Sequence, residues 1–179
     1  MPGKGTEMFG EKCDGCGFVW DAVGLKDAVS GISDAVTEFV GVIEESGEMA
    51  TVRPLPERWS IVEYAGHLRD VFISLRERLI TASVADHPTG TPIFRDERVN
   101  LGFYALDSVD DAADELGFAA GLLSKTIATL PAGFEDRTMV YSPAMDLVVT
   151  LRWVAAQANH EAFHHLGDIR ENVRLLAGG

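Results

Sequence analysis

Four stretches of helical apolar periodicity, divided by connectors rich in proline and glycine, constrain this chain most. In the first, Val23, Val29, Ile32, Val36, Phe39, Val40 and Ile43 recur at spacings of three, four and seven between Trp20 and Glu48. Such spacing places them on one face of a helix. The connector Arg53-Pro54-Leu55-Pro56-Glu57-Arg58-Trp59 then breaks it, because two prolines separated by one residue disfavour helix. Ser60 and Glu63 form the signature of a capping box, so a second helix runs from Ser60 to about Ser83 with Leu68, Val71, Phe72, Leu75 and Leu79 facing inward. A third starts near Ser108 and ends near Leu130, before Pro131. Residues 132–145 read as a loop with a short hairpin around Arg137 to Tyr141. The fourth helix runs from about Asp146 to Leu176 and stops at Gly178-Gly179.

Four long helices predict an all-α four-helix bundle, one domain over residues 1–179, with an irregular arm over 1–17. The connector between helices 2 and 3 is the unusual part. Its roughly 22 residues span up to about 70 Å extended, while a helix of about 25 residues is about 37 Å long. The connector can therefore recross the bundle and set helices 2 and 3 parallel, and it can cover a site on the way.

Charge narrows the function. Lys and Arg number 15 against 28 Asp and Glu, a formal charge of -13. This argues against nucleic acid as a partner, which requires clustered positive charge, and against a basic membrane-surface helix. The N-terminal segment lacks the apolar stretch of a secretory signal, so a soluble cytoplasmic protein is expected.

Histidines supply the chemistry. His160 and His164 are four apart in one helix, which puts both rings on one face, the arrangement by which paired histidines of zinc proteases grip their ion. The segment is not read as such a protease. His67, after the small pair Ala65-Gly66, is placed to face them across the core. His67, His160 and His164 are thus the expected metal ligands; imidazole suits zinc or nickel, and three protein ligands leave an open position. Glu63, Asp70 and Asp168 are expected to orient the ligating rings, with His165 beside them. Tyr64, Arg69, Arg95, Tyr104 and Trp153 are candidate pocket residues for a small anionic substrate. His87 carries no expectation. Cys13 and Cys16 are a separate candidate redox or second metal pair. They resemble half of a zinc ribbon, which needs two more ligands, and a four-cysteine site would require two chains. A reversible disulfide and free thiols are the alternatives, and free thiols best suit a reducing cytosol.

Two motifs carry a family resemblance. The segment Trp59 to Val71 (WSIVEYAGHLRDV), and Trp153 with the run His160 to Ile169 (HEAFHHLGDI), resemble the second- and fourth-helix signatures of DinB/YfiT-like bundle proteins. The Arg53-Pro54 connector, the Arg95-Asp96-Glu97-Arg98 cluster and the Cys13–Phe18 segment resemble an actinobacterial-type branch. The resemblance implies a bundle with a crossover between helices 2 and 3, homodimer assembly, and metal ligands at His67, His160 and His164. It also implies a divalent-metal-dependent enzyme that uses a low-molecular-weight thiol, of mycothiol type, as cosubstrate against small electrophiles. The mycothiol-dependent isomerases carry a glutamate where His160 is aligned, so that particular reaction is set aside. The alternative is a non-catalytic bundle that binds a metal or small molecule.

Overall fold

The computed structural model describes residues 12–142 and 146–178. Four long helices carry it: α1 (Leu25–Ser46), α2 (Ile61–Val84), α4 (Val109–Ala128) and α5 (Leu151–Ala177). A short helix, α3 (Arg95–Asn100), lies in the crossover, and β1 (Thr138–Ser142) pairs with β2 (Leu147–Thr150). The bundle is the expected all-α architecture with this small hairpin added. The N-terminal part of the expected arm, residues 1–11, lies outside the described residues.

Local chemistry sets the helix starts. At α2, the Ser60 Oγ accepts from the Glu63 amide at 3.1 Å and the Glu63 carboxylate accepts from the Ser60 amide at 2.8 Å. At α4, Ser108 and Asp111 make the same reciprocal pair. Each box satisfies amides that a helix start leaves without intrahelical partners. The first stretch begins later than its periodicity suggests. Trp20–Ala22 form a 3-10 turn, and α1 starts after Gly24.

The largest local departure is at the last helix. Residues 147–150 pair antiparallel with β1, and α5 begins only at Leu151, capped by Thr150 Oγ1. Leu147-Val148-Val149-Thr150 alternate buried and exposed positions, and three of the four are β-branched. That pattern suits a half-buried strand once a partner is present.

Around the bundle, α1 packs on α4 and α5, and α2 packs on the same two helices. Sequence neighbours α1 and α2, and likewise α4 and α5, therefore stand on diagonals, unlike an up-down bundle. Arg69, two turns into α2, pairs with Asp107 and Glu115 at the start of α4. Arg137, beyond the end of α4, donates to the Ala82 and Ala85 carbonyls at the end of α2, both at 2.8 Å. The two helices thus run parallel, as the connector arithmetic expects. Phe39, Phe72, Leu75, Leu116, Leu123 and Ile169 are fully or almost fully buried between the four helices.

The proline-bearing connector is tied to α5 by polar contacts. Arg58 donates to Asn172 Oδ1 at 2.5 Å and to the Asp168 carbonyl at 2.8 Å, while fully buried Asn172 donates to the Trp59 carbonyl. This holds the start of α2 against the middle of α5.

Glu63, the cap residue, also takes a two-pronged ion pair from Arg53. Burial opposes its charge, but the Arg53 guanidinium and the Ser60 amide outweigh it and hold the carboxyl below its ordinary 4.5. A carboxyl lowered in the folded state stabilises the fold above its unfolded pKa, and the contribution fades as pH falls through the lowered value. Glu63→Gln keeps an acceptor but loses the ion pair. Wild type is expected to exceed it by about 0.5–1 kcal/mol near neutral pH in urea melts. The gap should close in acid; a gap that is constant with pH would assign the effect to packing.

Candidate metal centre

The structure divides the expected trio. His67 Nε2, a Glu161 carboxylate oxygen and a His165 ring nitrogen converge within 4.8 Å of one another. His160 and His164 converge instead with Cys13 and Cys16. The set His67, His160 and His164 is not among the convergent groups of the described residues. The reason is rotational. One residue turns a helix by about 100°, so the pair 161/165 faces the bundle interior and the pair 160/164 faces away from it. Residues 160–164 do spell His-Glu-x-x-His. In a zinc protease that glutamate works beside both histidines; here it belongs to a different cluster from theirs.

His67 is 2 % exposed and His165 is 8 % exposed. Glu161 Oε2 lies 3.8 Å from His67 Nε2 and 3.2 Å from His165 Nε2, so one oxygen and two ring nitrogens point at a common volume. Glu161 and His165 are held from behind, whereas His67 Nδ1 is buried with no hydrogen-bond partner among the described residues. Gln157 Nε2 donates to Glu161 Oε1 at 2.6 Å, and Trp20 Nε1 donates to Gln157 Oε1 at 2.7 Å. Asp168 Oδ2 lies 2.9 Å from His165 Nδ1. An Nδ1–H held by a carboxylate fixes the tautomer that leaves Nε2 free to coordinate. The Trp59 ring packs on His67 and the Tyr64 ring on His165, which limits rotation of both imidazoles.

The electrostatics fit a cation. Burial disfavours a charged His165, but Asp168 and Glu161 outweigh it and push its pKa up to about 9. Burial likewise opposes a charged Glu161, yet the neighbouring His165 and His67 rings hold it well below the usual carboxylate range. Two half-buried carboxylates thus favour positive charge here, which a protonated His165 supplies in the metal-free chain and which a divalent ion on the two Nε2 atoms and Oε2 would supply in its place. Two histidines and one glutamate are a known zinc ligand set with an open position. His67 itself is pushed below its ordinary value, chiefly by burial, which favours the neutral, coordinating imidazole.

A cavity of about 310 Å³ opens beside His67 and Glu161, walled by Val71, Arg78, Ile93, Arg95, Tyr141 and Gln157 among others. Arg78 is 7 % exposed. It gives Nη2 to the Thr91 carbonyl and lies over the Tyr141 ring, but its Nε and Nη1 have no hydrogen-bond partner among the described residues. Sequence reasoning missed Gln157, Glu161 and Arg78. The apolar stripe of α5 carried the signal for His165, with Glu161 about 90° from its centre, and no local pattern marks Arg78.

Other expected residues have different partners. Glu63 caps α2. Asp70 accepts from Arg98, Tyr104 and Arg69 and thereby ties the crossover to α2. Arg69 is consumed by Asp70, Asp107 and Glu115, and its ring neighbour Tyr104 is buried against Gly66. Neither residue lines the cavity beside His67. Arg95 does, with its own side chain exposed. Trp153 stacks on Trp20 and meets Tyr141 edge-on, one layer behind the cavity. His87 lies 2.9 Å from Thr138 Oγ1. Burial depresses His160 to about 4, so it is neutral at physiological pH.

Among the described residues, no helix is long and apolar enough to cross a membrane. A comparison with curated proteins finds no significant match. Among solved structures, the chain superposes on YfiT from Bacillus subtilis, described as a probable metal-dependent hydrolase with an unusual four-helix bundle topology. The TM-score is 0.72 at 16 % identity, over 87 % of this chain and 90 % of that one. The model of the DinB superfamily matches residues 34–169, which include all of α2 and the buried His67–Glu161–His165 cluster. By its sequence, the chain belongs to the DinB superfamily.

Proposed function

We propose that this chain is a divalent-metal-dependent enzyme that activates a small thiol, of mycothiol type, for transfer to a small electrophile. The observation that carries the reading is the convergence of His67 Nε2, Glu161 Oε2 and His165 Nε2 beside a cavity edged by arginines. A divalent ion there, zinc or nickel by donor type, supplies Lewis acidity and lowers the proton affinity of a thiol or water beside it. His67 presents a neutral nitrogen, and an ion at His165 Nε2 would take the place of the proton that Asp168 and Glu161 otherwise hold on that ring. Gln157 and Asp168 hold Glu161 and His165 in register, so the ligands need little reorganisation. Arg78 and Arg95 attract a carboxylate-bearing substrate, and the buried guanidinium of Arg78 offers two fixed donors for it. The crossover, carrying Ile93 and Arg95, covers the cavity and limits water.

YfiT, a probable hydrolase by its description, supports the same metal-dependent class.

The test is a panel of bacterial thiols and a generic electrophile, assayed with metal-loaded protein. One thiol should be consumed well above the rate without protein, and His165→Ala should lower that rate at least about 100-fold. Hydrolysis of an ester or amide without any thiol would replace transfer with hydrolysis. No turnover of either kind with fully loaded protein would leave a binding bundle.

A further inference from the structure

The centre just described leaves two cysteines and two histidines unused. Cys13 and Cys16 sit on a tight turn closed by the bonds Gly17 N–H to Cys13 O and Cys13 N–H to Phe18 O, both 2.8 Å. Gly17 takes φ +79°, which favours glycine and lets the chain reverse there. The turn lies directly on α5. A Cβ on Gly15 would stand 3.0 Å from His164 Cε1, so that position has little room for a side chain.

Four donor atoms meet in this place. Cys13 Sγ is 3.7 Å from His164 Nδ1, and one donor from each of Cys13, Cys16, His160 and His164 lies within 4.8 Å of the others. With Zn–S of about 2.3 Å and Zn–N of about 2.0–2.1 Å, the sulfur–nitrogen edge of a zinc tetrahedron is about 3.6 Å. The observed separation matches that edge. His160 adds an independent sign. Both its ring nitrogens are buried without a hydrogen-bond partner among the described residues, while the Phe18 and Trp20 rings hold the imidazole in place. A buried polar atom without a partner is costly, and a bound ion would relieve the cost at one of the two nitrogens.

We propose that Cys13, Cys16, His160 and His164 form a second metal site, a closed Cys2His2 zinc site that fastens the N-terminal turn to α5. Four protein ligands leave no open position, so its role is structural, in contrast to the three-ligand centre beneath. The thiolates favour zinc over harder cations. The site also supports its neighbour. The fastened turn leads to Trp20, whose indole orients Gln157, which in turn holds Glu161. The site does not depend on the reaction proposed above, because the two clusters share no ligand.

Metal content separates the two. Protein purified without chelator is expected to hold about two equivalents per chain, and Cys13→Ser with Cys16→Ser about one. His67→Ala with His165→Ala should also hold about one, now at the thiolate site. Cobalt substitution gives a readout on the unaltered chain: a thiolate-to-cobalt charge-transfer band in the near ultraviolet, with intense tetrahedral d–d bands. The band should persist in the His67/His165 variant and vanish in the cysteine variant. Absence of the band in wild type would overturn the site. So would thiols that react equally fast with and without zinc, or a Cys13–Cys16 disulfide in protein handled without oxygen. Full metal content in the His67/His165 variant would instead count against the three-ligand centre.

Discussion

Glu161→Gln is expected to weaken metal binding at the buried centre by more than about 100-fold, beyond the ~10- to 100-fold typical of losing an outer hydrogen-bond partner. Glu161 is the only anionic donor of its cluster, and its Oε2 faces both His67 Nε2 and His165 Nε2. Glutamine is nearly isosteric and can still take the Gln157 hydrogen bond, so packing is largely preserved. What it removes is the charge. Asp168→Asn is the graded comparison. It loosens the His165 ring without removing a donor to the metal, and a loss within the ~10- to 100-fold range is expected. Competition with a chromogenic chelator measures both. Equal affinities for wild type and Glu161→Gln would remove Glu161 from the ligand set.

The second large effect concerns the approach of the crossover to α2. Gly66 immediately precedes His67, and a Cβ there would lie 2.7 Å from the Tyr104 ring. Tyr104 cannot easily yield, because it is 3 % exposed and its hydroxyl donates to Asp70 at 3.0 Å. Gly66→Ala is therefore expected to destabilise by about 1–3 kcal/mol through overpacking. This exceeds the gain that alanine normally brings to a helix interior, about 1 kcal/mol. In a chain of this size each kcal/mol moves Tm by about 2–4 °C. Combining Gly66→Ala with Tyr104→Leu should recover part of the loss, a coupling of about 0.5–3 kcal/mol between touching residues. Independent, additive losses would show that the clash is relieved elsewhere.

Much of the fold was legible because it is set locally. The serine–acid caps at Ser60 and Ser108, the two prolines before α2 and the apolar spacing within each helix all act within a turn or two. β2 was not legible as a strand. Its residues 147–150 also fit the leading turn of a helix, and only the partner strand from residue 138 decides between them. The parallel course of α2 and α4 followed from connector length, whereas the short helix Arg95–Asn100 did not. It begins after Phe94, whose left-handed φ of 53° no residue-type preference announces.

The candidate cluster around His67 draws on α5 one residue along from the pair the sequence suggests. Motif spacing alone cannot choose between His160/His164 and Glu161/His165, since each pair is four apart. The apolar stripe chooses. At about 100° per residue, Leu151, Val154, Ala155, Ala158, Ala162, Leu166 and Ile169 share one direction, with His165 within about 50° of it and His160 roughly opposite. The histidines that point away from the core are covered by the N-terminal turn, a contact across some 150 residues that helical spacing does not encode.

The most direct measurement is anomalous diffraction at the metal's absorption edge, on crystals of protein prepared without chelator. The expected map has a peak bounded by His67 Nε2, Glu161 Oε2 and His165 Nε2 at about 2.0–2.2 Å from each. No peak in that volume in metal-replete crystals, or a peak ligated jointly by His67, His160 and His164, would contradict it.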